Sequence, residues 1–211
     1  MQLIGMFDSP FVRRAAVSMK LLGISFEHRN WSVGRDQAQI RQYNPLGRVP
    51  TLVLDDGEVL VESAAILDYL DELAGPERAL LPARGAPRRQ ALKLMSHAIG
   101  AAEKGVSQVY EKVFRPEEKR HAPWVQRCNE QMHGALAELD KACADAQRGH
   151  RWLAGAKLTQ ADITVTCAGT FLSDTVGLGD RKYPALSAHL QRCEAMPAFA
   201  AFRVPFFVPN S

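Results

Sequence analysis

The chain has 211 residues, 46% apolar and 23% charged, which is enough for one large or two small globular domains. A net charge of +3 is too small to point to nucleic acid, and no apolar run approaches the length that spans a bilayer. The start, MQLIGMFDSPF, lacks the basic and apolar regions of a secretory signal, so a soluble, cytoplasmic protein is expected. Cys128, Cys143, Cys167 and Cys193 form no C-x-x-C pair and no zinc-binding spacing with histidine; free thiols and no metal are expected. Charge is unevenly spread: up to Gly75 there are 7 Lys+Arg against 10 Asp+Glu, leaving 19 against 13 beyond it. Either this is ordinary scatter or the second half is mildly basic and draws in anionic ligands.

In chain order, QLIGMF is a short apolar run ending at Asp8-Ser9-Pro10 and reads as a strand. PFVRRAAVSMKLLG carries Phe11, Ala15, Met19 and Leu22 at helical spacing and stops at Gly23, a suitable C′ residue. SFEHRNW alternates and reads as a second strand, which makes a βαβ start with a parallel pair. The polar stretch from Ser32 to Tyr43 is a loop or a weak helix. VPTLVLDDGEVLVES then shows two apolar runs joined by Asp55-Asp56-Gly57, a hairpin signal, and ESAAILDYLDELAG follows as an amphipathic helix. The order β-α-β, β-β-α is thioredoxin-like on pattern alone.

From Gly75 to Pro87 the chain is rich in Gly and Pro and reads as a linker, after which strand signals vanish. Helical patterns run from about Arg88 to Phe114 and from about Pro123 to Arg148, with two more in LTQADITVTCAGTFL and YPALSAHLQRCEAM. The expectation is an α/β thioredoxin-like domain over residues 1–75, a linker over 76–87 and an all-α helical bundle over 88–211.

Ser9-Pro10-Phe11 at the first strand–helix turn, NPLGRVPTL, ESAAILDYL and LTQADI stand in an order and spacing that resembles the cytosolic glutathione transferases. The resemblance covers nearly the whole chain. It implies that the Val49–Pro50 bond is cis, with the Val49 backbone turned outward to pair with glutathione as an added strand would. The alternative for Pro50 is a strand-initiating proline of no further use. The resemblance also implies that the Ser63 hydroxyl and N–H, at a helix N-terminus, take the γ-glutamyl carboxylate while Glu62 accepts from its ammonium. Without a ligand, the same two residues would only serve the helix start. Arg48 is placed to reach a carboxylate of the tripeptide, or is a solvated arginine. Arg13 shares a helix face with Ser9 and is expected to pair with an acid on a neighbouring helix.

Ser9 fits an N-cap and Pro10 a first helical position. A hydroxyl has one donor and two acceptor sites, so capping does not exhaust it. Lowering a thiol pKa by about two from roughly 8.5 requires about 2.7 kcal/mol. A hydrogen bond to a charged group supplies roughly 1.5–3 kcal/mol and a helix N-terminus about 0.3–1, up to about 2. Together they suffice, so Ser9 can cap and activate at once. Cysteine, as in omega-type relatives, does not stand there; nor does the Ser-Ser-Cys of zeta-type isomerases or a tyrosine as in the mammalian alpha, mu and pi types. The serine type is the nearest match.

Thr159-x-x-Asp162 is a capping box with an apolar helix behind it, a folding feature. Val106, Tyr110 and Phe114 are candidates for a second-substrate pocket, with ordinary bundle core as the alternative. Phe206 and Phe207 either fold back over the cleft or seal the bundle edge. The resemblance implies a homodimer that transfers glutathione, a co-substrate, to a small apolar electrophile, in detoxification. A glutathione-binding ligand carrier without catalysis and a protein-interaction adaptor remain as alternatives.

Overall fold

A computed structural model describes residues 1–178 and 182–206. The first third is a four-stranded sheet flanked by helices, in the element order β1 (Gln2–Ile4), α1 (Pro10–Leu22), β2 (Glu27–Arg29), α2 (Gln37–Arg41), β3 (Thr51–Val53), β4 (Val59–Val61) and α3 (Ser63–Ala74). Strand order is β2-β1-β3-β4, with β1 parallel to β2 (Leu3 opposite His28) and antiparallel to β3 (Leu3 opposite Leu52). The β3–β4 hairpin pairs Leu52 with Leu60. This is the thioredoxin-like arrangement expected from the pattern.

The strands are shorter than the apolar runs that announced them. QLIGMF ends as a strand at Ile4 because Gly5 adopts φ +130° and turns the chain. A Cβ at Gly5 would lie 2.5 Å from Val12 Cγ2 and 2.8 Å from Val49 Cβ, so glycine alone lets β1 end against both α1 and the Val49 loop. Helix α1 stops at Gly23 in the left-handed conformation, whose N–H returns to Lys20 O. The apolar face of α1, from Val12 to Leu22, packs with Leu3, Leu52 and the Ile66–Leu70 face of α3 to make the core of this domain.

All-helical structure follows: α4 (Gly85–Val113), α5 (Ala122–Arg148), α6 (Gln160–Thr175), α7 (Pro184–Glu194) and the one-turn α8 (Pro197–Ala200). Helix α4 starts at Gly85, three residues before the periodicity suggests, while α2 realises the weak helix between Ser32 and Tyr43. Helix α6 is buried on nearly every side and forms the centre of the bundle. No helix among the described residues is long and apolar enough to cross a membrane. All four cysteines are free and buried, and burial pushes the Cys167 thiol up to about 12.

The two halves meet along α1. Val17 packs with Ile163, Cys167, Cys193 and Phe199 in a small apolar cluster between them. Arg13, buried, donates from Nη1 and Nη2 to the Glu194 carboxylate at 2.7 and 2.5 Å, and from Nη2 to Phe199 O at 3.1 Å. This is the ion pair anticipated for Arg13, with its acid on α7. Thr170 Oγ1 donates to the same carboxylate. Burial alone would raise the Glu194 pKa, but the bonds from Arg13 and Thr170 outweigh it and hold the carboxyl below its ordinary value.

Candidate functional site

Residues of the first strand–helix turn, the Ser32–Gly34 turn, the Leu46–Val49 loop and the C-terminal half of α4 enclose a cleft of about 740 Å³ between the two halves. Ser9 stands at its floor. Its Oγ accepts from Val12 N at 3.5 Å, a long capping bond, and the residue remains partly exposed. The hydroxyl proton is therefore not committed, and the N-terminus of the thirteen-residue α1 lies beside it.

Opposite Ser9 is the loop that ends in the Val49–Pro50 cis peptide. The Val49 N–H and C=O have no hydrogen-bond partner among the described residues, although Val49 is only partly exposed and faces the cleft. Asn44, buried, holds this loop in shape. Its Nδ2 donates to Arg48 O at 2.9 Å, and its Oδ1 accepts from Leu46 N at 3.0 Å. Thr51 Oγ1 adds a bond to Arg48 O. A backbone strip held open in this way has the donor and acceptor that an added strand would pair with.

Arg48 lines the same cleft, and its Nη1 lies 3.3 Å from Glu62 Oε1; both side chains are about half exposed. Glu62 precedes α3 with φ +68° and ψ +132°, a conformation that costs a non-glycine residue about 1–3 kcal/mol. The turn keeps the Glu62 side chain on the Arg48 side and leaves the α3 N-terminus without a side-chain cap. Ser63 is buried at that N-terminus. Pro50 is also buried, and none of Pro50, Glu62 and Ser63 lines the cleft itself.

Behind Ser63 is a residue that sequence reasoning missed. Arg14 is 2% exposed, donates from Nη2 to Ser63 Oγ at 2.8 Å and from Nη1 to Thr164 Oγ1 at 3.2 Å, and its Nε has no partner. Burial pulls its pKa down to about 10, so it stays charged at neutral pH; Glu62 acts on it from a distance, and among the described residues no carboxylate lies within ion-pair distance of it. A buried cation held only by hydroxyls is costly unless an anion comes near. With Arg14 occupying an acceptor site of Ser63 Oγ, the Ser63 proton is left to be donated elsewhere. Arginine is ordinarily exposed, so nothing in the residue pattern distinguishes Arg14 from its neighbour Arg13.

The far wall is apolar. Val106, Tyr110 and Phe114 all face the cleft, with the Tyr110 and Phe114 rings 5.0 Å apart edge to face and respectively 44% and 53% exposed. Burial pushes the Tyr110 phenol pKa up; Arg48 acts against this and Asp8 adds to it. Phe206 folds back, meets Phe171 edge to face and closes the cleft from the tail side, while Phe207 lies outside the described residues. Thr159 and Asp162 are far from these groups in role: they form the buried capping box of α6.

Comparison with known proteins agrees with this architecture. Residues 3–78 match the glutathione S-transferase N-terminal domain and residues 122–192 the glutathione S-transferase C-terminal domain. An uncharacterized GST-like protein, YibF of Escherichia coli K12, is 30% identical over 173 residues, covering 82% of each chain. A glutathione S-transferase from Methylobacterium radiotolerans, solved in complex with glutathione sulfonate, superposes with a TM-score of 0.88 at 29% identity over 100% of this chain and 97% of that one. A glutathione transferase family member from Pseudomonas fluorescens Pf-5, solved with bound glutathione, gives 0.84 at 29% identity over 97% and 99%. The chain belongs to the glutathione S-transferase family.

Proposed function

We propose that this protein is a serine-type glutathione transferase, in which the thiolate of bound glutathione attacks a small, largely apolar electrophile. The observation that supports it most is the shared cleft: the Ser9 hydroxyl, the unpaired Val49 backbone and Arg48 face the apolar wall of Val106, Tyr110 and Phe114. In this reading the cysteinyl residue of glutathione pairs with Val49, and its sulfur lies near Ser9 Oγ and the α1 N-terminus. The γ-glutamyl carboxylate goes to the Ser63 hydroxyl and the open end of α3, in the field of Arg14. Glu62 exchanges part of its contact with Arg48 for the γ-glutamyl ammonium, and Arg48 is freed for a carboxylate of the tripeptide.

Ser9 donates to the sulfur and stabilises the thiolate; the thiol proton passes to solvent. Holding nucleophile and electrophile in one cleft supplies the remaining acceleration through proximity. The bound relatives from Methylobacterium and Pseudomonas support glutathione as the ligand. A cytoplasmic homodimer acting in detoxification completes the proposal.

The test is to measure glutathione affinity by calorimetry and then assay Ser9→Cys. Binding together with new mixed-disulfide exchange in the variant is expected, because the ninth side chain would face the sulfur. No glutathione binding, or binding with no gain of exchange, would contradict the assignment.

A further inference from the structure

Next to the cleft is a larger hollow of about 1170 Å³, and the two share one wall: Val109, Val113, Phe114 and Phe206. Beyond that apolar partition the hollow changes character. Lys112, Arg115, Arg120 and Arg203 line it, against a single carboxylate among the described residues, Asp174. Two of the four cations are neutralised. Arg203 holds Asp174 with both terminal nitrogens, at 2.6 and 3.0 Å, and Arg115 Nε lies 3.0 Å from Glu111 Oε2.

The other two are not. No carboxylate pairs with Lys112 or Arg120 among the described residues. Arg120 donates from Nη2 to Lys112 O at 2.8 Å and from Nε to Arg115 O at 3.2 Å, which fixes its guanidinium at the rim without cancelling its charge. Part of the basic bias of the second half of the sequence is thus concentrated in the hollow that adjoins the cleft across Val109, Val113, Phe114 and Phe206.

We infer that the second substrate is an amphipathic anion: an electrophile whose ring or chain lies against Tyr110, Phe114 and Phe206 and whose carboxylate or equivalent acid group reaches Lys112 and Arg120. This rests on the transferase reading and specifies its substrate class. With a chloronitrobenzoate, the glutathione sulfur forms a bond to the ring carbon bearing chlorine and chloride leaves with the bonding pair. The ring carboxylate takes no part in the chemistry and remains with the two cations.

The experiment compares the glutathione conjugates of a chloronitrobenzoate and of the matching chloronitrobenzamide, nearly equal in shape and different in charge, by titration calorimetry on the full chain. The carboxylate conjugate is expected to bind about fivefold more tightly at low salt, with the gap closing in about 0.5 M salt. It should also narrow in Lys112→Gln and widen in Asp174→Asn, which removes the one opposing charge. Equal affinities, a gap indifferent to salt and to both substitutions, or binding of neither conjugate would overturn the anion site. Glutathione titrated alone separates the two readings: its failure to bind contradicts the transferase assignment, whereas its binding alongside equal conjugate affinities removes only the anionic substrate class.

Discussion

Ser9 at the start of α1 and Thr159 at the start of α6 occupy the same position of the same local motif, a hydroxyl in front of a helix, and the structure treats them differently. Thr159 is saturated. Its Oγ1 accepts from Ala161 N and donates to Asp162 Oδ2 at 2.9 Å, and Asp162, fully buried, accepts further from Thr159 N at 2.8 Å and Leu153 N at 3.0 Å. Ser9 makes one long bond in a partly exposed position beside a cleft. A cap whose every donor and acceptor is used inside the fold stabilises; a cap with an unused proton facing a cavity is free to act on a ligand. The difference lies in what surrounds the motif.

The largest effect should come from the saturated cap. Asp162→Ala strands three buried donors at once and is expected to cost about 3–5 kcal/mol in denaturant unfolding. A loss under about 1 kcal/mol would remove the contrast with Ser9. At the other cap, Ser9→Ala should lower conjugating activity about 10- to 100-fold, the value of one hydrogen bond to a charged sulfur, with glutathione affinity little changed. Steady-state kinetics reads this; wild-type turnover would refute the activating role.

Arg14→Lys tests whether the unused proton of Ser63 is set from behind. A lysine offers one nitrogen in place of the two that reach Ser63 and Thr164, and glutathione affinity is expected to fall about tenfold by calorimetry. Thr164→Val, which removes only the contact away from Ser63, should change it by less than about twofold. Equal losses in the two variants would make Arg14 a purely structural tie.

The acid side of the stability curve sharpens the same distinction. Glu194 is a saturated group whose pKa is held below its ordinary value of 4.5 in the folded chain. Its contribution is therefore present above that value and lost as pH falls through the folded pKa, where Arg13 loses its partner. Wild type should exceed Glu194→Gln in stability near neutral pH, and the two should converge as pH falls through and below the ordinary carboxylate range. A constant difference across that range would show that the pairing is not what α1 gains from α7. The smallest expected effect is on the stability of Ser9→Ala, about 0.5–1 kcal/mol, since its capping bond is long.

Much of this molecule is readable from residue order because local signals agree with the fold. Gly23 ends α1, Asp55-Asp56-Gly57 turns the hairpin, Thr159 and Asp162 box the start of α6, and the strand–helix alternation gives way to helices, with α4 starting three residues before its periodicity suggests. The strands themselves are misjudged in length, since apolar residues such as Met6 and Phe7 continue past a backbone turn that only the φ of Gly5 reveals. At the site, Ser9, Arg48 and Val49, which stand in sequence motifs, line one cleft with Val106, Tyr110 and Phe114, which stand in none, and Glu62 is held to Arg48. Asn44 and Arg14 carry no such signal. Arg14 works through Ser63 and Thr164, distant in sequence, while Asn44 acts locally on Leu46 and Arg48; an asparagine or arginine looks the same in a string whether buried or solvated. The basic hollow is hidden for the same reason: Lys112 and Arg203 become neighbours only when the tail folds back across α4.

The most direct test of the central claim is the thiolate absorbance of bound glutathione followed against pH in wild type and Ser9→Ala. The account predicts a bound thiol that ionises about two pH units below the free value of roughly 8.5 in wild type, and a shift back by about one unit or more in the variant. A bound thiol that titrates at its free value, or one whose titration is identical in the two proteins, would contradict it.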